Sequence, residues 1–222
     1  LYRFKNCNEC RYKNNTNLSI WPWADLIHFV KRYSGPFTKE FRVLELGCGA
    51  GANIPFFNSL NVEYFGIEGS TIIVENLKEK FPHLKNNLIA CDFTKTIPFS
   101  GKFDLILDRS SLAHNPTLGI ESCLNLVYDK LNTNGKYIGI DWFSTSHSEY
   151  VKGEDGDDIF TRKNYLDGQF KNLGNAHFSN QSHLEDLFKN FKFLVLEEKI
   201  IKSKLFENNQ IRATWNFITE KI

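Results

Sequence analysis

The stretch Val43-Leu44-Glu45-Leu46-Gly47-Cys48-Gly49-Ala50-Gly51 decides the fold of this chain. The apolar run from Phe41 to Leu46 predicts a buried strand, and the glycine cluster that follows predicts a tight turn. Residues 52–60 then predict the start of a helix. A strand, a glycine turn and a helix in this order let the backbone approach a ligand closely and point unpaired helix amides at it. We therefore expect a nucleotide-type cofactor at this turn.

Glu45 narrows the choice of cofactor. Gly47, Gly49 and Ala52 match the dinucleotide pattern G-x-G-x-x-G/A, which is weak evidence when it stands alone. Glu45 comes just before the first glycine, where its carboxylate would repel a bound pyrophosphate. The same carboxylate suits a ligand that has no phosphate and a cationic end. S-adenosylmethionine is such a ligand, because it carries a sulfonium and an ammonium group.

At this point the sequence resembles the class I S-adenosylmethionine-dependent methyltransferases, whose first motif is typically E/D-x-G-x-G-x-G. Glu45, Gly47, Gly49 and Gly51 match that motif position by position. The later patterns D-R-x-S-L-x-H-N and G-I-D-W-F-S look like those of bacterial methyltransferases whose substrate is unassigned. The resemblance implies S-adenosylmethionine as the cofactor. A NAD(P)-dependent oxidoreductase and a non-catalytic cofactor-binding protein of the same fold remain as alternatives.

The order of the remaining elements predicts the architecture. Strand-like runs at 62–68, 87–91, 103–108 and 136–141 alternate with helical segments, which predicts a parallel sheet covered on both faces. The last two runs, 191–201 and 211–219, are only about ten residues apart, which is too short for a crossover and predicts an antiparallel hairpin. We expect an α/β fold with a Rossmann-like, doubly wound, mostly parallel sheet and a C-terminal antiparallel hairpin. This is the seven-strand methyltransferase type.

The chain divides into two predicted parts. Residues 1–40 lie outside the sheet pattern and form a predicted N-terminal helical cap, in which an amphipathic helix ends near Gly35-Pro36. Residues 41–222 form the predicted methyltransferase domain, with 144–180 as a lid or substrate-binding insert. The resemblance implies that the N-terminal segment folds over the cofactor, and the side chains expected to face it are Arg11, Tyr12 and Trp23.

The predicted cofactor site follows the carboxyl ends of the strands, where open parallel sheets bind ligands. Glu68 ends the second strand, and its two oxygens can accept both ribose hydroxyls. The resemblance implies that Asp92, after the third strand, accepts a hydrogen bond from the adenine amino group and that Phe93 lines the ring. With their neighbours, the predicted cofactor-binding residues are Glu45, Gly47, Cys48, Gly49, Gly51, Asn53, Glu68, Gly69, Asp92, Phe93, Asp108 and Arg109.

The segment 108–116 after the fourth strand predicts the acceptor side of the site. It contains an acid, a base and an imidazole, although Arg109 could instead pair with Asp108 as a structural clamp. His114 is the residue of this segment that can act as a base near neutral pH without a large pKa shift. Further titratable groups follow the fifth strand. The predicted catalytic residues are His114, Asp108, Asp141 and His147.

Composition limits the partners. The chain has 27 basic and 26 acidic residues, so no strong field favours nucleic acid, and we expect a small-molecule acceptor such as a sugar or metabolite hydroxyl. No apolar stretch has membrane-spanning length, which predicts a cytoplasmic protein without a membrane partner. Cys7 and Cys10 have the spacing of half a zinc site, but no second pair follows, so we expect no metal. The sequence leaves the oligomeric state open.

Overall fold

A computed structural model describes residues 19–204 and 210–222. Cys7, Cys10, Arg11 and Tyr12 therefore lie outside the described residues. The elements in chain order are α1 (Ala24–Tyr33), β1 (Arg42–Leu46), α2 (Ile54–Ser59), β2 (Glu63–Glu68), α3 (Thr71–Lys80), β3 (Leu88–Ala90), β4 (Phe103–Arg109), α4 (Thr117–Lys130), β5 (Leu131–Ser144), β6 (Glu154–Asp155), β7 (Thr161–Lys163), β8 (Ala176–Ser179), α5 (Gln181–Leu187), β9 (Phe191–Lys202) and β10 (Ile211–Lys221). Within these described ranges, no helix is both long enough and apolar enough to cross a membrane.

The main sheet has the strand order β3-β2-β1-β4-β5-β10-β9. The first five strands pair in parallel. β10 is antiparallel to both β5 and β9, so the last two strands form a hairpin. The predicted fold is therefore confirmed: a mostly parallel Rossmann-like sheet with a C-terminal antiparallel hairpin. β2 and β3 lie on one side of β1, and β4 and β5 lie on the other, so the order in which strands are added changes direction at β1. The carboxyl ends of β1 and β4 lie side by side at this point.

Two hydrophobic cores cover the two faces of this sheet. Successive side chains of a strand point to opposite faces, so β1 contributes Leu44 and Leu46 to one core and Val43 to the other. α1 packs on the second core through Leu26, Phe29 and Val30. This helix agrees with the amphipathic helix predicted before Gly35-Pro36.

Residues 144–180 build a small second sheet that the sequence did not predict. β6, β7 and β8 pair antiparallel in that order. β8 also pairs in parallel with the last residues of β5, through Phe143 with Phe178 and Ser144 with Ser179. A cluster of buried rings that includes Tyr165 and Phe170 fills the space beneath this insert. The insert is thus attached to the carboxyl end of the main sheet, the edge at which parallel sheets bind ligands.

Candidate active site

A cavity of 1010 Å³ opens at the carboxyl ends of β1, β2, β3 and β4. Its floor is made by loops that follow these strands, and the insert contributes part of the opposite wall. The lining includes most of the residues predicted to bind the cofactor: Glu45, Gly47, Cys48, Gly49, Asn53, Glu68, Gly69, Asp92, Phe93 and Arg109. Gly51, Asp108, Asp141 and His147 are the predicted site residues that do not line it.

The glycines after β1 have distinct roles. Gly47 has φ +71°, and a Cβ there would lie 2.4 Å from the Cβ of Ser111, so only glycine lets the loop after β4 approach this closely. Gly51 has φ +78°, and a Cβ there would lie 2.6 Å from Leu77 Cδ2 on α3. The expected cofactor contact of Gly51 is thereby corrected: this glycine is required by helix packing, away from the cavity.

Glu45 is buried at the centre of the cavity wall, with 2% of its surface exposed. Its Oε1 accepts a hydrogen bond from Asn53 Nδ2 at 2.7 Å, and its Oε2 accepts one from the Tyr64 hydroxyl at 2.6 Å. Burial raises the pKa of this carboxyl to about 7, against the lowering effect of the two donors. A cation bound beside Glu45 would favour its ionised form.

Glu68 is held at the end of β2 by the loop backbone. Its Oε2 accepts a hydrogen bond from the Gly49 amide at 3.0 Å, and its Oε1 accepts one from the Ser70 amide at 3.2 Å. Each carboxylate oxygen has a second lone pair, so both can still accept a hydroxyl from a ligand. Burial raises the pKa of Glu68. At the adjoining Gly69, no described atom lies within 4 Å of an added Cβ, so there is open space beside the carboxylate.

Asp92 lies in the loop after β3 and lines the cavity. Its Oδ1 accepts hydrogen bonds from the Thr94 amide at 3.1 Å and from Thr94 Oγ1 at 2.6 Å. Its Oδ2 is buried and makes no hydrogen bond within the described part of the chain, with Lys95 Nζ 3.4 Å away. A buried acceptor without a hydrogen-bond donor suits a donor on a ligand, such as an amino group.

Asp108 occupies a different place from the one predicted. It is fully buried and outside the cavity lining. Its Oδ2 accepts from the amides of Ser111 at 2.9 Å and Leu112 at 3.0 Å, while Trp142 Nε1 donates to Oδ1 at 2.7 Å and the Tyr137 hydroxyl donates to the same oxygen. The predictions of a catalytic and a cofactor-binding role are corrected, because these donors surround the carboxylate. Asp108 holds the turn after β4.

Arg109 and Asp141 form a pair at the cavity wall. Arg109 Nη2 lies 2.8 Å from Asp141 Oδ2, and the Arg109 guanidinium carbon lies 3.4 Å from the ring centroid of Trp23. Arg109 and Trp23 line the cavity, whereas Asp141 does not. Arg109 therefore pairs with Asp141 and not with Asp108. The predicted catalytic role of Asp141 is corrected, because its carboxylate pairs with Arg109 and does not line the cavity.

The two predicted histidines lie in different environments. His114 lines the cavity, with its Nδ1 2.8 Å from the carbonyl oxygen of Asn175. A carbonyl only accepts, so Nδ1 carries the proton and Nε2 is the basic nitrogen of the neutral ring. His147 is buried, accepts the Glu149 amide at Nδ1 (3.1 Å) and contacts Gln169 through Nε2 (3.0 Å). Burial lowers its pKa to about 4. The predicted catalytic role of His147 is corrected, because it is a neutral ring outside the cavity.

Comparison with known proteins identifies the domain. Residues 43–135 match the family model described as a methyltransferase domain. This match supports the class I S-adenosylmethionine-dependent methyltransferase family that the sequence resembles. No curated protein matches the chain. The family match supports S-adenosylmethionine as the cofactor and gives no support to the oxidoreductase alternative or to the non-catalytic one.

Solved structures of methyltransferases share this fold. One from Methanosarcina mazei is 12% identical, with 91% of this chain and 99% of that one covered at a TM-score of 0.68. One from Anabaena variabilis is 13% identical, with 100% and 94% covered at a TM-score of 0.68. Geranyl diphosphate C-methyltransferase from Streptomyces coelicolor A3(2), in complex with geranyl diphosphate and S-adenosyl-L-homocysteine, is 10% identical, with 89% and 78% covered at 0.62. At these identities the likeness shows the fold alone.

Sequence reasoning missed several side chains that line this cavity. Ser111 and Asn115 belong to the segment 108–116, so their position next to His114 was a usable signal. The residues from the insert had no such signal, because nothing in the sequence near them indicates where the insert folds. The cavity residues contributed by the insert are Asp157, Gln169, Leu173 and Asn175.

Proposed function

We propose that this methyltransferase methylates a hydroxyl group of a small molecule, such as a sugar or another metabolite, by direct displacement. The observation that carries the proposal is the place of His114 in the same cavity as the glycine turn, with Nδ1 bound to the Asn175 carbonyl. This contact places the ring proton on Nδ1, so Nε2 would be the nitrogen that takes a proton from an acceptor hydroxyl. When bound, S-adenosylmethionine supplies a methyl group already activated by its sulfonium.

The chain's own residues fit this cofactor. Glu68 would accept the ribose hydroxyls with the lone pairs that Gly49 and Ser70 leave available. Asp92 would accept the adenine amino group at Oδ2, which is buried and makes no hydrogen bond to a described residue, although it pairs with the Lys95 ammonium 3.4 Å away. Glu45 would face the cationic end of the ligand. The remaining task of the protein is to align the acceptor and exclude water, because direct displacement depends mainly on geometry.

The wall opposite the cofactor loops favours a small polar acceptor. The insert supplies Gln169 and Asn175 to the lining of the cavity, and Asn115 adds a third amide side chain. Amides both donate and accept hydrogen bonds, so they suit a ligand with several hydroxyls. A relative with the same fold, geranyl diphosphate C-methyltransferase, acts on a small molecule. The balanced charge of the chain also favours a small acceptor over nucleic acid.

Calorimetry with S-adenosylhomocysteine tests the cofactor site. Glu68→Ala should weaken binding at least about tenfold, or on the order of 1.4 kcal/mol, because the ribose hydroxyls lose their acceptor. Glu63→Ala is the matched control, since Glu63 lies at the exposed start of the same strand. A parent protein that does not bind S-adenosylhomocysteine would contradict the proposal.

Turnover of the methyl donor with panels of sugars, sugar nucleotides and hydroxy acids tests the acceptor. For any acceptor found, His114→Gln should lower kcat by about a hundredfold or more, while S-adenosylhomocysteine affinity stays within about twofold of the parent. His83→Gln is the control, because His83 is exposed and outside the cavity. Methylation of a protein or an RNA as the only positive result would overturn the small-molecule assignment.

A further inference from the structure

Two unusual backbone conformations flank Arg109. Ser110 has φ 57° and Asp141 has φ 56°, and the Ser110 amide donates to the Ile140 carbonyl at 2.9 Å, so the two distortions are adjacent. The other described residues with positive φ, glycine apart, are all asparagines: Asn61, Asn134, Asn164 and Asn172. Asparagine tolerates this region better than most residues, and serine is poorly suited to it. Backbone distortion of this kind accumulates where a side chain must be aimed.

The distortion at Asp141 is a β-bulge. Trp215 on β10 pairs with Trp142, whereas Phe217 pairs with Gly139, so two residues of β5 face Asn216 alone. Asn216 is buried, and its Oδ1 accepts the Asp141 amide at 2.9 Å, replacing a bond that the ladder no longer provides. Bulges next to active sites redirect a side chain. This one brings the Asp141 carboxylate to Arg109.

Arg109 is the one lysine or arginine that lines the described cavity, whereas four acids line it: Glu45, Glu68, Asp92 and Asp157. Its guanidinium is fixed on one side by Asp141 and on its face by Trp23. Its Nε is buried and makes no hydrogen bond to any described residue. A rigid guanidinium with an unused buried donor is suited to a carboxylate.

We propose that Asp141 and Asn216 are positioning residues, which use the bulge in β5 to hold Arg109 as the carboxylate-binding group of the cavity. The favoured partner is the amino-acid carboxylate of the cofactor, because Arg109 lines the same cavity as Glu45, the acid expected at that end of the ligand. A carboxylate on the acceptor has the same chemistry. The inference rests on the proposed function, since it needs a bound S-adenosyl ligand.

The test compares S-adenosylhomocysteine with its decarboxylated analogue, which keeps the adenosine, the sulfur and the amine. The parent protein should bind S-adenosylhomocysteine more tightly. Arg109→Gln should lower its affinity about tenfold or more while the affinity for the analogue stays within about twofold. Parent protein that binds both ligands equally, or an Arg109→Gln variant that weakens both alike or neither, overturns the inference and leaves the proposed function intact. Parent protein that binds neither ligand defeats both.

The positioning role is tested in variants of Asp141 and Asn216 by the ratio of their affinities for S-adenosylhomocysteine and for its decarboxylated analogue. Asp141→Ala and Asn216→Ala should reduce the preference for the carboxylate, and Asp141→Asn should retain most of it, because asparagine accepts the left-handed backbone and still offers an oxygen to Arg109. Asn61→Ala is the matched control, since Asn61 has φ 54° but lies outside the cavity. It should lower Tm without changing the ratio. A lower Tm for Asp141→Ala with an unchanged affinity ratio would show that Asp141 has a structural role only.

Discussion

Glu45 lies in the cavity as an acid whose protonation depends on its surroundings. Its pKa is raised from 4.5 to about 7 by burial, so the folded chain holds an extra proton between these pH values. A group with a raised acid pKa makes folding less favourable as pH rises through that window. A cationic ligand beside Glu45 favours the ionised form, so cofactor binding and proton release at this residue are linked.

Glu45→Gln should remove this titration. Between about pH 4 and pH 8, the free energy of unfolding of the parent should fall relative to that of the variant by about 3 kcal/mol, because the raised pKa costs the parent stability only once Glu45 must ionise. Urea denaturation at a series of pH values measures the difference. Glu79→Gln, at an exposed position on α3, is the control and should follow the parent. Parallel pH profiles for the parent and Glu45→Gln would contradict the assignment.

The acids at the strand ends show what the sequence can and cannot predict about single residues. Glu45, Glu68 and Asp92 were predicted from their places near the carboxyl ends of buried strands, and they line the cavity. Asp108 has the same kind of place, yet Tyr137 and Trp142 enclose it. These two donors lie far along the chain on β5, so no local pattern reveals that Asp108 faces them.

The insert is the element that completes the cavity, and its docking contacts include one to the segment after β4 and one to α4. Asp158 Oδ2 accepts the Thr117 amide at the start of α4 at 2.7 Å, and the Asn175 carbonyl accepts from His114. His177 on β8 of the insert and His183 on α5 are in contact, with their Nε2 atoms 3.1 Å apart. Burial holds the pKa of both imidazoles below the usual 6.5, so the insert is built around neutral rings.

The insert should therefore loosen in acid. A histidine with a lowered folded pKa contributes stability that is complete above the unfolded pKa of 6.5 and is lost as pH falls below it. Hydrogen exchange, corrected for intrinsic rates, should show the amides of β7 and β8 losing protection at about pH 5 relative to about pH 7.5, before β1 and β4 do. His177→Asn should flatten this difference, and His83→Gln should preserve it. Equal loss of protection throughout the sheet would argue against an effect centred on the insert.

At the scale of the whole molecule, the sequence predicts the elements whose hydrophobic pattern extends over many residues. Strands and helices alternate up to β5, and the short gap between the last two strands predicts their hairpin, so the order of the main sheet follows from pattern. β6, β7 and β8 have two to four residues each and depend on pairing with one another and with the end of β5. The bulge at Asp141 likewise depends on Asn216, which is distant in the chain. Such features depend on tertiary contacts, so they produce no periodic pattern in the sequence.

The junction between the parallel strands and the hairpin is sensitive to an increase in side-chain volume. Gly139 on β5 faces Phe217 on β10, and a Cβ at Gly139 would lie 2.3 Å from Phe217 Cζ. The Phe217 ring is fully buried, with its centroid 5.2 Å from that of Trp142 and 4.9 Å from that of Phe188. The ring therefore has little room to move aside, and closely packed interiors transmit such a clash to their neighbours.

Gly139→Ala should accordingly destabilise the entire chain by about 1–3 kcal/mol, which for a chain of this size lowers Tm by about 2–4 °C per kcal/mol. Thermal unfolding followed at two wavelengths should keep a single transition, because the clash lies between the two halves of one sheet. Gly69→Ala is the matched control, since no described atom lies within 4 Å of its Cβ, and its Tm should stay close to that of the parent.

Phe217→Leu in the Gly139→Ala background should recover part of the loss of stability, because the smaller side chain vacates the space that the new methyl needs. A double-mutant cycle measures the coupling between the two changes. Strictly additive losses would mean that the methyl at 139 is accommodated by the backbone of β5 and not by the ring.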